Sequence, residues 1–184
     1  MAGEHWARGV AKLARKERSP LFQFGALLLG ATVFLVLFPA LVIWIAKLLT
    51  GWIPFSLPRG IEGLVSAFCL GYGLFWVFWS SWTQWTRGRG TPAPIAPTSK
   101  LVITGPYRYC RNPIQLGAMF YQAGLGILFG TIVTGIAVFI LVGIAGTLYH
   151  KLVEEKELTE RFGEEYEEYK AEVPFLIPRR RREG

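Results

Sequence analysis

The sequence predicts an all-α polytopic membrane protein with about four transmembrane helices and a C-terminal amphipathic helix on the cytoplasmic side. Hydrophobic residues make up 52% of the 184 residues, which exceeds the usual share in soluble domains. Three apolar runs, at residues 21–49, 61–85 and 113–150, are each long enough to cross a bilayer. Lys and Arg are concentrated in the segments that flank these runs, a pattern that sets the orientation of membrane proteins.

The first two runs predict one membrane span each. Pro39 lies inside the first, residues 21–49, and predicts a kink because proline cannot donate a backbone hydrogen bond. The second span, residues 61–85, ends in a tryptophan-rich stretch. Its tryptophans recur every third residue, as Trp76, Trp79, Trp82 and Trp85. This spacing indicates an interfacial belt, with some of the rings packed against other helices.

The third run is too long for one span, so it predicts a helical hairpin. Residues 113–130 and 132–150 form its two helices, joined by a tight turn. Gly126 and Gly130 form a GxxxG pattern, which lets helix backbones approach closely. We expect this pattern to serve packing inside the hairpin.

The three flanking segments are assigned to the cytoplasm, with the whole chain, residues 1–184, as a single integral-membrane domain. Residues 1–19 hold five basic residues, residues 86–113 five, and residues 151–184 eight. The first segment is either a basic flank or a short surface helix. Residues 86–112 form a linker and motif, and residues 151–184 form a tail. The net charge of +7 is assigned to membrane orientation, since no basic stripe has the context of a nucleic-acid module.

The tail carries an apolar stripe at helical spacing. Gly163 is expected to interrupt the helix after Phe162, and residues 173–178 are expected to be extended because two prolines bracket them. The stripe consists of Leu158, Phe162, Tyr166, Tyr169 and Val173.

The stretch GPYRYCRNP, residues 105–113, precedes the hairpin and forms a first polar cluster. It places Tyr107, Arg108, Arg111 and Asn112 next to Pro113. Proline suits the first turn of a helix, so Asn112 has an alternative interpretation as a helix cap. That interpretation does not explain two arginines beside two tyrosines.

A second polar cluster lies where the hairpin ends, at Tyr149, His150, Glu154 and Glu155. The two glutamates have an alternative interpretation as a solvated helix face. If residues 113–150 form a hairpin, however, the two clusters become neighbours. Arg can bind a carboxylate, Glu can bind hydroxyls or an ammonium, and aromatic rings can meet a flat ring or a cation. S-adenosylmethionine contains all of these groups.

The motif, the hairpin and the stretch EEKEL…FGEEYEEYKAEVPFLIP together resemble the isoprenylcysteine carboxyl methyltransferase family, which includes phospholipid N-methyltransferase relatives. The resemblance covers about residues 100–178. It implies a cytoplasm-facing pocket for S-adenosylmethionine, roofed by the C-terminal helix, with a lipid-side opening for substrate. The family's Arg-His-Pro-x-Tyr motif falls on residues 111–115, where Asn112 replaces His and Gln115 replaces Tyr. Asn cannot titrate near neutral pH, so the resemblance leaves position 112 no proton-transfer role.

Together these observations predict the site residues. The predicted catalytic residues are Arg111, Glu154 and Glu155. The predicted cofactor-binding residues are Tyr107, Arg108, Asn112, Pro113, Gln115, Tyr149, His150, Glu154 and Glu155. No metal site is predicted.

The reaction expected of this site is methyl transfer to a lipophilic or small-molecule acceptor delivered by the lipid bilayer. Such a transfer requires alignment and exclusion of water rather than a nucleophilic side chain. Arg108 or Arg111 would hold a carboxylate or thiolate acceptor, whereas Glu154, Glu155 or His150 would accept the proton of an amine. The sequence leaves this choice open. It also leaves two alternatives, an NADPH-dependent membrane reductase and a non-catalytic membrane protein that retains the fold.

Overall fold

The computed structural model describes residues 19–88 and 98–179, and all regular structure within these ranges is helical. The predicted basic flank at residues 1–19 lies outside them except for Ser19, as does the middle of the predicted linker. The longer helices are α1 (Pro20–Thr32), α2 (Phe38–Thr50), α3 (Arg59–Gly88), α4 (Pro113–Phe129) and α5 (Ile132–Tyr149). Two short helices, α6 (Glu155–Phe162) and α7 (Glu164–Glu172), follow in the tail.

Three continuous helical stretches are long and apolar enough to cross a membrane. They are Leu28–Thr50, Arg59–Gly88 and Ile132–Phe162, and α4 is a shorter apolar helix. The predicted all-α polytopic fold is therefore confirmed. The predicted span at residues 61–85 lies within α3, which continues to Gly88, and the predicted span at residues 21–49 is divided between α1 and α2.

A π-helical segment, Val33–Leu37, lies just before Pro39 and joins α1 to α2. The kink predicted at Pro39 stays a prediction. In an α-helix the carbonyl of Leu35 would accept the N–H of residue 39, which proline lacks. The hydroxyl of Tyr121 donates to this carbonyl instead, at 3.0 Å. A side chain of α4 thus donates to a carbonyl that proline deprives of its α-helical partner.

The chain divides into two compact units. One contains Phe78–Pro113 and Thr147–Gly184 together with the N-terminal residues to Gly30, and the other contains Ala31–Val77 and Ile114–Gly146. In the second unit, glycines set the distances between helices. A Cβ atom on Gly117 would lie 2.7 Å from the carbonyl oxygen of Gly73, and one on Gly126 would lie 3.0 Å from Cα of Gly135. The second contact lies inside the hairpin, as predicted for Gly126.

In the first unit, the tail folds as its apolar stripe predicts. Helix α6 ends at Phe162, and Gly163 has a φ of 55°, a conformation that favours glycine. Helix α7 starts at the next residue, and the backbone is extended at Val173. The buried residues Tyr166, Tyr169 and Val173 pack with Leu101, Leu158 and Phe162.

Candidate active site

The motif at residues 105–113 starts with a tight turn, the 3-10 helix Gly105–Arg108. Gly105 has a φ of 62°, and a Cβ atom at this position would lie 3.0 Å from Oγ1 of Thr83. Only glycine combines this backbone conformation with such a close approach to α3. The turn therefore places Tyr107 near the end of α3. A second contact joins the same two elements, since the rings of Trp79 and Tyr109 have centroids 6.1 Å apart.

Residues 173–179, which we call the C-terminal strap, run alongside the motif and bind its backbone. The N–H of Arg111 donates to the carbonyl of Pro174 at 2.9 Å, and the N–H of Asn112 donates to that of Phe175 at 3.2 Å. The N–H of Arg179 donates back to the carbonyl of Tyr109 at 2.9 Å. The motif and the strap are thus joined by hydrogen bonds in both directions.

The side chain of Asn112 reinforces this connection. Its Nδ2 donates to the carbonyl of Phe175 at 3.0 Å. This contact gives the amide of Asn112 a role in binding the strap. The sequence pattern did not suggest that role. Its predicted role in cofactor binding stays a prediction.

Arg111 joins the two polar clusters. Its Nη1 lies 2.8 Å from Oε1 of Glu155, and its Nε donates to the carbonyl of Val173 at 3.1 Å. Lys170 approaches the other oxygen of Glu155 at 3.5 Å, and the hydroxyl of Tyr166 lies 3.5 Å from Arg111 Nη1. The side chains of Arg111 and Glu155 are 12% and 17% exposed, so this ion pair is largely shielded from solvent. The expected proximity of the two clusters is therefore present.

The second cluster begins at the end of α5, where the π-helical segment His150–Glu154 connects α5 to α6. Nδ1 of His150 contacts the carboxylate of Glu154 across one turn. The rings of Tyr149 and His150 have centroids 5.6 Å apart. The His150–Glu154 pair is one arrangement in which an imidazole can accept a proton while a carboxylate orients it.

Phe175 of the strap contacts Arg111 of the first cluster, His150 of the second cluster and Lys151 beside it. The guanidinium of Arg111 lies 5.6 Å from the centroid of its ring, and Nζ of Lys151 lies 5.5 Å from it. The ring of His150 meets it edge-on with centroids 6.3 Å apart. Aromatic faces attract cations, so Phe175 helps to hold the strap between the two clusters.

Tyr107 is buried beneath this surface, with 7% of the residue exposed. Its carbonyl accepts a hydrogen bond of 2.7 Å from the hydroxyl of Tyr169. Burial raises the pKa of Tyr107 well above the usual value, and the negative charge of Glu154 raises it further. Gln84 on α3 faces the phenol with a geometry that falls short of a full hydrogen bond.

Gln84 was not among the residues that the sequence predicted for the site. The signal that could have found it is a carboxamide in the stretch WTQW, at the end of an apolar helix. Polar side chains in such helices are often functional.

Burial also keeps two further ionisable groups near Arg111, Cys110 and Tyr166, in their neutral forms. It raises the pKa of the Cys110 thiol to about 12, against a small opposing effect of the Asn112 backbone. It raises the pKa of Tyr166 to about 12 as well, although the charge of Arg111 opposes the rise. Near neutral pH neither group is an anionic nucleophile, which agrees with a reaction that uses no covalent intermediate.

The remaining predicted residues have separate positions. Pro113 starts α4, as its fixed φ favours. Arg108 is exposed at the end of the 3-10 turn. Gln115 belongs to the other compact unit, where its Nε2 donates to the carbonyl of Val142 at 2.8 Å. This bond gives Gln115 a structural role, and its predicted contact with a cofactor stays a prediction.

An open groove of about 480 Å³ borders the ion pair on the Glu155 side. Its lining is largely charged and consists of Lys151, Glu155, Lys156, Thr159, Glu160 and Lys170. Across residues 19–88 and 98–179, no three His, Cys, Asp or Glu side chains are grouped so that they could hold a metal ion.

Comparison with known proteins gives a family and a relative. The family model for phospholipid methyltransferase matches residues 61–165. A segment of 81 residues is 38% identical to methanethiol S-methyltransferase 1 of Bradyrhizobium diazoefficiens. This match covers 41% of the chain and 25% of that relative, so the chain corresponds to about a quarter of the relative's length. No solved structure matches the chain.

Proposed function

Since the chain belongs to the phospholipid methyltransferase family, we propose that it transfers a methyl group from S-adenosylmethionine to a lipophilic or membrane-delivered acceptor at the cytoplasmic face. The observation that carries this proposal is the ion pair between Arg111 and Glu155 at 2.8 Å. It unites the arginine of the motif with the paired glutamates that follow the hairpin, beside the C-terminal strap.

The residues present fit this cofactor. Bound S-adenosylmethionine supplies a methyl group that the positive sulfonium has already activated. Arg111 offers a planar guanidinium, which suits a carboxylate, and Glu154 and Glu155 offer acceptors for hydroxyl or ammonium groups. Tyr107 and Gln84 present buried polar atoms that lack a hydrogen-bond partner, as is expected where a polar ligand group completes the site.

The protein's contribution to the reaction is alignment and exclusion of water. The strap is bonded to the motif by backbone hydrogen bonds, and its Phe175 ring contacts the basic groups of Arg111 and Lys151. An ordered strap keeps bulk water away from the reacting atoms, which strengthens the electrostatic interactions of Arg111 and the glutamates.

The acceptor proposed here is an amine, thiol or carboxylate on a lipophilic molecule. The matched family is named for phospholipids, and the relative is named for a thiol. An amine or thiol must lose its proton, and the His150–Glu154 pair is our candidate for the base. A carboxylate needs no base and would bind to an arginine, either Arg108 or Arg111.

The test is binding and turnover with purified full chain in detergent. We expect S-adenosylhomocysteine to bind in calorimetry and NADPH not to bind. We also expect labelled methyl to transfer from S-adenosylmethionine to at least one acceptor among phosphatidylethanolamine, an isoprenylcysteine and a long-chain thiol.

A matched pair of variants ties this binding to the site. Glu155→Gln should weaken S-adenosylhomocysteine binding by about tenfold or more, because a charge-assisted interaction is worth about 1.5–3 kcal/mol. Glu168→Gln changes an exposed glutamate of α7. It should leave the dissociation constant of S-adenosylhomocysteine within about twofold, because exposed charges contribute little. No binding of S-adenosylhomocysteine by the unaltered chain would refute the proposal and favour a non-catalytic protein.

A further inference from the structure

The open groove beside α6 is lined mainly by lysines. Lys151, Lys156 and Lys170 bring ammonium groups to it, against the carboxylates of Glu155 and Glu160. Its volume of about 480 Å³ falls in the range of pockets that bind small ligands. The groove is therefore large enough for a charged group that the protein itself does not supply.

The negative charge that the groove contains is already in use. Glu155 pairs with Arg111 at 2.8 Å and with Lys170 at 3.5 Å. In the part of the chain that the structure describes, no ion pair involves Lys151 or Lys156. Both of these side chains are exposed. The groove thus offers two ammonium groups to an anion.

The groove lies at the end of a helix that is suited to span a membrane. The continuous stretch Ile132–Phe162 is long and apolar enough to cross one. Directly before the groove, Leu148 and Leu152 are 53% and 58% exposed, as is expected of side chains that face acyl chains. Lys151 and Lys156 flank Leu152 in the sequence, where a lysine can reach the headgroup region. A ligand that has both acyl chains and an anionic headgroup would meet both surfaces.

The charges of the groove favour a phosphate group that has no cation next to it. A phosphate is a compact anion, and lysine binds it as a point charge. In a zwitterionic headgroup the choline or ethanolamine cation offsets the phosphate, and the lysines would repel that cation. A free phosphate, for its part, would gain nothing from Leu148 and Leu152. An anionic phospholipid satisfies all of these conditions.

We propose that the groove formed by Lys151, Lys156 and Lys170 binds the headgroup of an anionic phospholipid, whose acyl chains lie against Leu148 and Leu152. This lipid is a partner of the tail and not an amine acceptor, because the lysines disfavour a headgroup that carries an ammonium. The inference is independent of the proposed methyl transfer. A lipid bound here would hold α6 and α7 at the membrane surface.

The test measures lipid binding by native mass spectrometry of the full chain in a non-ionic detergent. The probes are phosphatidylglycerol and phosphatidylcholine with the same acyl chains. We expect one phosphatidylglycerol to bind at least about fivefold more tightly than phosphatidylcholine, because each lysine near a lipid surface contributes about this factor. Equal binding of the two lipids would overturn the proposal.

Matched variants locate the binding. Lys156→Gln removes one ammonium group from the groove at an exposed side chain. It should leave the melting temperature unchanged and weaken phosphatidylglycerol binding by about fivefold. Lys156→Arg keeps the charge, and Lys100→Gln removes the same charge from an exposed residue outside the groove. Both should bind within about twofold of the unaltered chain.

The Lys100→Gln control also separates a defined site from diffuse attraction to a basic protein. If Lys156→Gln and Lys100→Gln weaken phosphatidylglycerol equally, the groove is not the site and the proposal fails.

Competition separates the lipid from other phosphate or cofactor ligands. sn-Glycerol 1-phosphate has the phosphate but no acyl chains, so about 100-fold excess should not displace phosphatidylglycerol. Displacement would assign the groove to a soluble phosphate and refute the lipid. S-adenosylhomocysteine should not displace the lipid either, and displacement would assign the groove to the cofactor. Lipid binding is measured without cofactor, so its failure would leave the proposed methyl transfer untouched.

Discussion

At the scale of single residues, the site depends on side chains that bind backbone groups of the strap. Arg111 contacts both Glu155 and the carbonyl of Val173, and Asn112 binds the carbonyl of Phe175 through its backbone and its side chain. Each residue therefore has a structural role that a ligand-binding role must accommodate. Substitutions here should be judged by strap stability as well as by cofactor affinity.

The first prediction concerns the amide of Asn112. Asn112→Asp keeps the size of the side chain but removes the Nδ2 donor and places a carboxylate against the carbonyl of Phe175. We expect the strap to lose about 0.5–1.5 kcal/mol of stability, the net contribution of one hydrogen bond, because the carbonyl of Phe175 keeps its bond to the backbone N–H of Asn112. Faster hydrogen exchange at the backbone amides of Arg111 and Asn112 would report it.

Asn112→Gln provides the control, because it keeps the donor on a longer side chain and should exchange at a rate between those of the other two proteins. Equal exchange in Asn112→Asp and the unaltered chain would show that the side-chain bond adds nothing to the strap.

At the scale of elements, the interrupted first membrane helix shows how proline is accommodated in a bilayer. Pro39 leaves the carbonyl of Leu35 without its α-helical donor, and Tyr121 of α4 supplies one at 3.0 Å. The π-helical segment Val33–Leu37 and the hydroxyl of Tyr121 thus form one arrangement that links two elements. The contribution of this arrangement to stability can be measured, because the proline and the tyrosine hydroxyl can each be removed separately.

The second prediction is a double-mutant cycle on these two residues. Tyr121→Phe alone should destabilise the protein by about 0.6–2 kcal/mol, the range for hydrogen bonds between membrane helices. In a Pro39→Ala background the same change should cost less, because the backbone N–H restored at position 39 can bind Leu35. Unfolding in mixed micelles would measure both costs, and equal costs would mean that proline is not the reason for the tyrosine contact.

At the scale of the whole molecule, the distribution of basic residues predicts which segments share the cytoplasmic side. The motif and the tail both carry clusters of Lys and Arg, whereas residues 51–58 between α2 and α3 carry none. The hydrogen bonds between the motif and the strap require these two segments to lie on one side of a bilayer. They do not assign that side, which the charge pattern alone predicts.

The third prediction tests this orientation by labelling cysteines in a background with Cys69→Ala and Cys110→Ala. Cysteines introduced by Ser99→Cys and Glu168→Cys should react with an impermeant maleimide only from the cytoplasmic side. One introduced by Ser56→Cys should react only from the opposite side, as the positive-inside rule requires. Labelling of positions 99 and 168 from opposite sides would contradict both the orientation and the shared site.

The sequence by itself determined the helical membrane fold, the hairpin after Pro113, the break at Gly163 and the amphipathic tail. These features depend on local properties, namely apolar length, glycine conformation and the spacing of side chains on one helix. The pairing of the two polar clusters also followed from the sequence, since a hairpin brings its two ends together.

Only the tertiary structure decided which atoms of the site meet. Asn112 binds Phe175 across 63 positions of the chain, and the motif turn meets α3 where Gly105, with its positive φ, packs against Thr83. No periodicity encodes these contacts, since each depends on how separate elements pack. The sequence therefore predicts which polar residues lie near the membrane surface. The packing of separate elements decides which of these residues bind one another.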